Sequence, residues 1–468
     1  MNNIPKVLLV SAEVAPYAKT GGLGEVIDIL HKELRRQGAD ARVVLPKYKN
    51  LQRFTSQEKL GEVSVNIAGR QHEAHILALD NPAHHIYAIG NDDMFFRDSF
   101  YGYADDHYRF YFFTLAVLQM IKALDFKPDI INFNDWQTGL GSFYLQEALS
   151  DDPFFKDIAT VFSIHNIQHQ GSFGADALAQ LGIDNYYFNM DMLEFHGRMN
   201  MMKAGIVFSH GINTVSKTYA REIQTPRYAY GLDGVIKSRN QDLYGILNGI
   251  SYDDVVGNPV VKDKAYLQER VGLPIEDKPV IGLVTRLAEQ KGIDIIDQAL
   301  DKILQRDVQL VVLGTGEARY ERMFNDYATR YANLASHMYF NTEISLDIYK
   351  NSDLFLMPSL FEPCGLAQMI SMKYGTVPIV HKTGGLEDTV IHYNGDTQQG
   401  NGFVFNDYDD GGLIWALDQA LMTYRDPVHW QKVKQNALDS QFSVEQAATD
   451  YLQMYRRIIS KQQKYHKL

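Results

Sequence analysis

The chain has 468 residues, more than one hydrophobic core usually supports, so two domains are expected. Its 45 Lys and Arg against 57 Asp and Glu give a net charge of −12, which disfavours a nucleic-acid partner because phosphate backbones bind basic surfaces. The single cysteine, Cys364, excludes an intrachain disulfide and favours a reducing compartment. No signal-type segment follows Lys6 and no apolar run approaches ~18 residues, so we expect a soluble, cytoplasmic protein with no membrane partner.

Short apolar runs alternate with helical periodicity in the first half of the chain. Residues 7–11 predict a strand, residues 24–37 a helix that Gly38 caps, and residues 41–45 a second strand. Further strands are predicted at 129–133, 159–164 and 212–215, with a helix at 139–148. Continuous apolar strands of this kind are typical of a parallel sheet that is covered on both faces.

The same alternation begins again near Pro279. The predicted strands are 280–284, 308–313, 353–357 and 377–380, and the predicted final helices are 413–424, 427–438 and 444–459. Two glycine-containing loops, at residues 19–24 and 359–368, each follow a predicted strand. They lie more than 300 residues apart, which indicates two domains that bind one phosphorylated ligand between them. We therefore predict an α/β fold of two doubly wound Rossmann-like domains facing across a cleft, residues 1–250 and 251–445.

The stretch Ser359–Gln368 is the most informative part of the sequence. It follows a predicted strand and puts the carboxylate Glu362 on a loop, ahead of a helix that we expect to begin at Gly365. Open α/β sheets bind ligands at the carboxyl ends of their strands, and helix amides attract phosphate. Cys364 in the same loop lacks an evident His or Asp partner, so a packed thiol is favoured over a nucleophile.

A glycine loop near the amino terminus also follows a strand and opens a helix. The amides of Gly21 and Gly22 and the cation of Lys19 are suited to an anion, although a tight turn with Lys19 in solvent would use the same residues. A related sequence follows the strand at 377–380 and consists of Thr383, Gly384, Gly385 and Leu386.

Polar residues at two other strand ends are suited to sugar hydroxyls. Asp135 follows the strand at 129–133, and His165 follows the strand at 159–164. The alternatives are that Asp135 caps the next helix and that His165 is a core histidine bonded to the backbone.

The loop 285–292 carries Arg286 and Lys291 between a strand and a helix, where they could clamp a diphosphate rather than lie solvated on the surface. The glycine turn 313–317 either lines a nucleotide pocket or is a structural turn.

With these residues in place, the chain resembles the bacterial glycogen synthases and plant starch synthases along nearly its whole length. The resemblance rests on runs in this order: Ala12–Leu23, Val43–Tyr48, Asp135–Trp136, His165–Asn166, Thr214–Ser216, Gly245–Gly249, Arg286–Leu287, Gln290–Gly292, Phe361–Leu366 and Thr383–Leu386. It implies the two-domain glycosyltransferase fold called GT-B, in which a final helix, here 446–468, returns to the first domain. It also implies transfer of glucose from ADP-glucose to an α-1,4-glucan such as glycogen or a maltooligosaccharide, with retention of the α configuration and with no metal or other cofactor.

The resemblance implies a role for each candidate residue. Lys19, Gly21 and Gly22 would face the donor diphosphate, and Asp135 and His165 would hold the glucosyl hydroxyls or the reacting centre.

Asn248 would lie near the sugar. In the second domain, Arg286 and Lys291 would neutralise the departing diphosphate, and Glu362 would sit beside the transferred glucose. Phe340 would stack on the adenine, with Tyr339 as its competitor. The rest of the anion site would consist of Cys364, Gly365, Leu366, Thr383, Gly384 and Gly385.

Four positions depart from, or discriminate within, the family pattern. Glu25 stands where Asp is usual, Asn134 where His is common, and Asp347 where Arg is usual, so UDP-glucose is the alternative donor. A transferase of the same fold with a small-molecule acceptor is the other alternative. Ile370 replaces the second Glu of the enzymes that glycosylate sucrose and lipids, which favours the glucan-synthesising branch.

Two rival functions are weaker. A non-enzymatic glucan-binding protein would have no need of the full charged set. A nicotinamide-dependent oxidoreductase would need a G-x-G-x-x-G sequence after the first strand, and this chain has none.

Overall fold

The computed structural model describes residues 4–54, 57–80, 85–255 and 261–465. The chain divides into two compact units. Unit 1 comprises Met1–Val215, Ala220–Ile246 and Val444–Leu468, and unit 2 comprises Ser216–Tyr219 and Leu247–Ser443. None of the described helices is long and apolar enough to cross a bilayer.

The strands of unit 1 are β1 (Val7–Val10), β2 (Ala41–Pro46), β3 (Gln57–Ile67), β4 (Arg70–Leu79), β5 (Ile86–Gly90), β6 (Ile130–Asn134), β7 (Ala159–Ile164), β8 (Ser172–Gly174), β9 (Glu194–Phe195), β10 (Arg198–Asn200), β11 (Gly211–Thr214) and β12 (Leu243–Gly245). Those of unit 2 are β13 (Val280–Val284), β14 (Gln309–Leu313), β15 (Leu334–His337), β16 (Leu354–Met357), β17 (Val377–His381) and β18 (Phe403–Phe405).

The helices, in chain order, are α1 (Gly22–Arg36), α2 (Asp92–Phe95), α3 (Asp106–Ala123), α4 (Leu140–Glu147), α5 (Asp176–Leu181), α6 (Met201–Phe208), α7 (Lys217–Glu222), α8 (Asp233–Ser238), α9 (Lys264–Val271), α10 (Ile293–Leu304), α11 (Ala318–Arg330), α12 (Thr342–Asn351), α13 (Ala367–Lys373), α14 (Gly384–Thr389), α15 (Asp410–Arg425), α16 (Pro427–Asp439) and α17 (Val444–Tyr465). The predicted strand at 159–164 and the predicted strand at 280–284 are confirmed to the residue.

In unit 2 the described strands form one parallel sheet in the order β15-β14-β13-β16-β17-β18. Numbered within the unit this is 3-2-1-4-5-6, the doubly wound order. The strand order reverses between β13 and β16, and the loops that leave their carboxyl ends flank the crevice where such sheets bind ligands.

In unit 1 the described strands of the large sheet follow the order β12-β11-β7-β6-β1-β2-β5-β4-β3. Strands β12 to β5 in that order are parallel, and the reversal lies between β1 and β6. The prediction of two doubly wound α/β domains is therefore confirmed for the fold of each unit.

The edge of the unit 1 sheet differs from the prediction. Strands β3 and β4 form an antiparallel hairpin that extends the parallel sheet beyond β5, so this sheet is mixed. Strand β3 has only two fully buried side chains, Val65 and Ile67, at its carboxyl end. An edge strand with so little apolar sequence does not produce the continuous apolar run by which we identified the central strands.

Helix α10 shows how the core of unit 2 is built. Its apolar residues recur every three or four positions, and Ile293, Ile296, Leu300 and Ile303 are all buried. This spacing places them on one face of the helix, where they join the apolar side chains of the sheet in one cluster. The packing stabilises the loop just before α10, which carries Lys291.

The C-terminal helix α17 belongs to unit 1. Its Tyr455 is fully buried, and its hydroxyl donates to the Asn132 Oδ1 atom of β6 at 2.7 Å. At the amino end of the helix, the Glu445 carboxylate accepts a hydrogen bond from Arg36 of α1 at 3.0 Å. Helix α17 thus holds β6, the strand that Asp135 follows.

We expect Tyr455→Phe to lower the free energy of unfolding by about 1–2 kcal/mol, because the buried Asn132 Oδ1 loses its hydrogen-bond donor. Urea unfolding would measure the change. Tyr186→Phe is the matched control, since Tyr186 is 69% exposed and should change stability by less than about 0.5 kcal/mol. Equal stabilities of the two variants would contradict this account of α17.

Candidate active site

Two loops meet at the carboxyl ends of β13 and β16. The first runs from Thr285 to Gly292 and the second from Pro358 to Leu366. The backbone N–H of Leu360 donates to the Gln290 carbonyl at 2.9 Å, which ties the loops together. Side chains from both loops therefore lie at the point of unit 2 where a doubly wound sheet binds its ligand.

The Glu362 carboxylate lies between these loops. Its residue is 6% exposed, and its Oε2 atom is 2.7 Å from Lys291 Nζ and 3.0 Å from Ser359 Oγ. A buried carboxylate is stable only when cations and donors compensate its lost hydration, and Lys291 and Ser359 provide both. The structure thus brings Glu362 and Lys291 together, whereas Ser359 was not predicted. Its position three residues before Glu362 in the same loop is the sequence feature that would have pointed to it.

The lysine reaches the carboxylate because two glycines permit close backbone approach. Gly292 has φ +76°, and a Cβ atom there would lie 2.0 Å from the Pro358 carbonyl oxygen. A Cβ at Gly385 would lie 2.0 Å from the Cys364 carbonyl oxygen, and the Gly385 N–H donates to the Glu362 carbonyl at 3.0 Å. A side chain at Gly292 would force the two loops apart, and one at Gly385 would force α14 away from the second loop.

The helix that we expected to begin at Gly365 begins at Ala367 instead. Gly365 has φ +73°, which lies outside the helical region, so the chain turns there before the helix starts. Leu366 holds the N-cap position of α13, and Thr383 that of α14, where Gly384 has φ +45°. Both helices are short, with 7 and 6 residues, so helix amides are a weaker argument for phosphate here than we expected.

Burial determines the state of Cys364. Its residue is 5% exposed, and burial raises the pKa of its thiol to about 12. The thiolate needed for nucleophilic attack is therefore scarce at neutral pH, in line with a packing role.

The backbone N–H of Asn248 donates to the Cys364 sulfur. The side-chain Oδ1 of Asn248 is buried and has no hydrogen-bond partner within the described residues, an arrangement suited to a ligand that donates.

The remaining unit 2 candidates are more exposed. Arg286 contacts the Gln290 side chain at 3.2 Å and does not contact Glu362 as Lys291 does. Phe340 is 72% exposed beyond the end of β15, while the Tyr339 hydroxyl contacts His337. Asp347 forms an ion pair with Arg270 at 3.0 Å.

The glycine turn 313–317 approaches the first loop of the site closely. Cβ atoms at Gly314 and Gly316 would lie 1.8 Å from the Thr285 carbonyl oxygen and 2.1 Å from the Leu287 carbonyl oxygen. The turn thus packs against the first loop of the site.

In unit 1, Asp135 follows β6 in a strained conformation. Its φ of 56° and ψ of 178° lie in a region that is essentially restricted to glycine and costs about 1–3 kcal/mol. Its Oδ1 accepts from the backbone N–H of His165 at 2.7 Å and of Asn166 at 3.4 Å. Asp135 holds the N-cap position of the 3₁₀ turn Trp136–Thr138, but its side chain accepts no capping hydrogen bond there. Burial raises the pKa of its carboxyl to about 7, against the lowering effect of these amides.

His165 lies beside Asp135, and its ring is not bonded to the backbone as the core-histidine alternative required. The Nε2 atom contacts Asn134 Oδ1 at 2.9 Å. Burial lowers the pKa of the imidazole to about 4, so the ring is neutral at pH 7. Asp135 and His165 are thus brought together, through the register of β6 with β7.

The amino-terminal glycine loop is held by a residue that we did not select. The buried Glu13 carboxylate accepts from the Thr20 backbone N–H and hydroxyl, both at 2.6 Å, and from the Tyr101 hydroxyl at 2.8 Å. A carboxylate three residues after a buried strand was the available signal. Lys19 forms an ion pair with Glu25 in the first turn of α1.

Gly21 and Gly22 open α1 and are both exposed. A Cβ atom at either position would meet no atom within 4 Å, so close packing inside the protein does not account for these glycines. Among the described residues, no group of three or more His, Cys, Asp or Glu side chains could hold a metal ion.

We expect Gly292→Ala to lower the free energy of unfolding by about 2 kcal/mol or more, because the positive φ and the contact with the Pro358 carbonyl exclude a methyl group. Thermal unfolding would measure the loss. Gly234→Ala in α8 is the control: a Cβ there meets no atom within 4 Å, and alanine favours the helix. An unchanged Gly292→Ala protein would show that the loop tolerates a side chain.

We expect Asp135 to make unit 1 less stable as the pH rises from about 4 to about 7. The carboxyl pKa is 3.8 in the unfolded chain and about 7 in the fold, so between these values the native state binds more protons than the unfolded state. The unfolding free energy then falls by roughly 1.4 kcal/mol per pH unit from this group. Asp135→Asn should remove that slope in urea unfolding, and Asn in place of the exposed Asp93 should leave it. The same slope in Asp135→Asn and the wild type would refute the assignment.

Two family profiles match the chain. The family described as "Starch synthase catalytic domain" matches residues 6–238, and "Glycosyl transferases group 1" matches residues 267–437. A relative from Desulforudis audaxviator, "Glycogen synthase", is 42% identical over 97% of this chain and 97% of its own. The "Glycogen synthase" of Thermotoga maritima is 40% identical over 97% of this chain and 99% of its own.

The fold agrees with these matches. The catalytic domain of starch synthase IV from Arabidopsis thaliana, solved bound to ADP and acarbose, has a TM-score of 0.91 and 32% identity over 98% of this chain and 100% of its own. Sucrose-phosphate synthase from Thermosynechococcus elongatus, at 17% identity and a TM-score of 0.64 over 98% of this chain and 100% of its own, shares the fold. The chain belongs to the glycogen and starch synthase family of GT-B glycosyltransferases.

Proposed function

We propose that the protein transfers glucose from ADP-glucose to the non-reducing end of an α-1,4-glucan, with retention of the α configuration. The observation that carries the proposal is the buried Glu362 carboxylate, 2.7 Å from the Lys291 ammonium at the switch point of the unit 2 sheet. Glycosyl transfer passes through an oxocarbenium-like state, which a nearby carboxylate stabilises while cations stabilise the departing phosphate. A carboxylate and a cation held side by side meet both requirements.

The charged groups of unit 2 divide the work of bond breaking. Lys291, together with Arg286 on the same loop, neutralises the diphosphate as it leaves, and Glu362 faces the glucosyl group. Asn248 accepts a hydrogen bond from the sugar through its unpaired Oδ1. Departure and attack on one face of the sugar account for retention without a covalent glycosyl-Glu362 intermediate, with the leaving phosphate oxygen assisting deprotonation of the acceptor.

The unit 1 residues bind and orient. His165 and Asp135 contact glucosyl hydroxyls, and burial raises the pKa of the Asp135 carboxyl to about 7, so both its protonated and its ionised forms are present near neutral pH. The amides of Gly21 and Gly22 at the start of the 15-residue helix α1 attract an anionic donor, and Lys19 adds a cation. The expected compartment is the cytoplasm, because the only cysteine of the chain excludes an intrachain disulfide.

UDP-glucose is the second candidate donor. Asp347 occupies a stretch that should border the base and is neutralised by Arg270 at 3.0 Å, so this stretch presents a different charge from the usual arginine. Phe340, with 72% of its surface exposed, offers a ring that stacks on either base. A small-molecule acceptor is the alternative on the acceptor side.

We expect Glu362→Ala and Lys291→Ala each to lower glucosyl transfer by at least about a hundredfold, because each removes a charge that stabilises the transition state. Transfer of labelled glucose from ADP-glucose to glycogen measures the loss, and circular dichroism checks that each variant is folded. Lys302→Ala is the matched control: it breaks a surface ion pair with Asp410 and should keep wild-type transfer.

The same assay separates the candidate substrates when ADP-glucose and UDP-glucose are each paired with glycogen and with maltooligosaccharide. We expect ADP-glucose with a glucan acceptor to give the highest kcat/KM. A preference for UDP-glucose would establish the second donor. Wild-type-like incorporation by Glu362→Ala would remove the role assigned to that carboxylate.

A further inference from the structure

Asn134 is a buried amide at the carboxyl end of β6, next to the imidazole of His165. It is 2% exposed, and its Nδ2 atom lies 3.1 Å from both the Val10 and the Asn132 backbone carbonyl oxygens. Carbonyl oxygens only accept hydrogen bonds, so the NH₂ group must face them. The Oδ1 atom then faces His165 Nε2 at 2.9 Å, and the orientation of the amide follows from its partners.

This orientation determines the tautomer of His165. Because an amide oxygen only accepts, the Nε2 atom must carry the proton and donate it. Burial lowers the pKa of this imidazole to about 4, so at neutral pH the ring has one proton and it is on Nε2. The Nδ1 atom is left with a lone pair, and it has no hydrogen-bond partner within the described part of the chain.

The polar groups nearest to the His165 ring, apart from Asn134, bond to other partners. The Asp135 carboxylate is bonded to the backbone N–H of His165 rather than to its ring. The Ser163 hydroxyl is engaged with the side chains of Asn132 and Asn213. The orientation of the imidazole and the location of its proton therefore depend on one amide.

We propose that Asn134 is a positioning residue that holds His165 in its Nε2–H tautomer, so that Nδ1 accepts a hydrogen bond from a hydroxyl of the bound glucosyl group. The second half of this statement rests on the proposed function, and the first does not. A histidine at position 134 would offer the neighbouring ring a single nitrogen, whose role as donor or acceptor changes with its own protonation. The amide has no such change of state.

The tautomer is measured directly on the wild-type protein. With ¹⁵N-labelled histidine, the ring nitrogens of His165 are identified by comparison with His165→Asn, and we expect a protonated Nε2 and an unprotonated Nδ1 at neutral pH. A protonated Nδ1, in either the other tautomer or the imidazolium, would overturn the proposal. In Asn134→Ala we expect both neutral tautomers to be populated.

Asn132→Ala is the matched control. Asn132 is also a buried amide on β6, and it bonds Ser163 and Tyr455 without touching the imidazole. Its loss should lower stability and leave the His165 tautomer unchanged. If Asn132→Ala changes the tautomer as much as Asn134→Ala does, the effect belongs to the strand as a whole and the proposal fails.

The hydroxyl is located with nucleotide-glucose donors in which each hydroxyl is replaced in turn by hydrogen or by fluorine. For the hydroxyl that donates to Nδ1, we expect both replacements to lower kcat/KM by about three- to tenfold, since fluorine accepts but cannot donate. In Asn134→Ala that penalty should shrink, while in Asn132→Ala it should persist. A fluorine donor that transfers as well as the hydroxyl donor at every position would show that Nδ1 does not accept.

The nitrogen resonances and the donor series together distinguish failure of the proposed function from failure of this inference. If no nucleotide-glucose is used by the wild type, the proposed function fails, and the nitrogen resonances still decide the role of Asn134. If transfer proceeds but the tautomer or the fluorine series disagrees, the proposed function stands and this inference is wrong.

Discussion

Burying a carboxylate requires a cation and a donor at hydrogen-bond distance, and that requirement organises the candidate site of unit 2. Glu362 is 6% exposed and would be unstable there without the Lys291 ammonium at 2.7 Å. Gly292, directly after Lys291, lets that loop approach the Pro358 carbonyl of the other. By permitting this approach, Gly292 keeps Lys291 close to Glu362. The pair provides the two opposite charges that glycosyl transfer needs.

Unit 1 uses the same topological position with different chemistry. Its switch point lies between β1 and β6, and the groups there are a carboxyl with a pKa near 7, a neutral imidazole and a glycine-opened helix. In the part of the chain that the structure describes, neither the Asp135 carboxyl nor the His165 imidazole forms an ion pair as Glu362 does, whereas Lys19 beside the helix pairs with Glu25. Amides set this arrangement instead: backbone N–H groups hold Asp135, and the Asn134 side chain holds His165.

Strain and burial coincide at Asp135. A non-glycine residue with φ 56° and ψ 178° persists only where surrounding contacts outweigh its cost, and the two backbone amides of the next loop are those contacts. Helix α17 contributes from a distance, because Tyr455 holds Asn132 on the strand that ends at Asp135. The last residues of the chain thus support a residue more than 300 positions earlier.

Local pattern was enough to predict the doubly wound fold of each unit, because buried parallel strands are continuous apolar runs and helices repeat every three or four residues. It also selected Glu362, Lys291, Asp135 and His165, since polar residues directly after such strands stand out. The edge hairpin β3–β4 was missed because β3 has few buried apolar residues and the first half of β4 is polar and charged.

The sequence by itself determined the periodicity of the elements, the family and the candidate residues, all of which are properties of neighbours in the chain. Only the tertiary structure decided that Lys291 rather than Arg286 meets Glu362, that Gly365 precedes the helix instead of starting it, and that Asn134 sets the proton on His165. Those facts depend on distances between loops far apart in sequence, which the register of the sheet and the close approach at glycines set, and no local pattern records them.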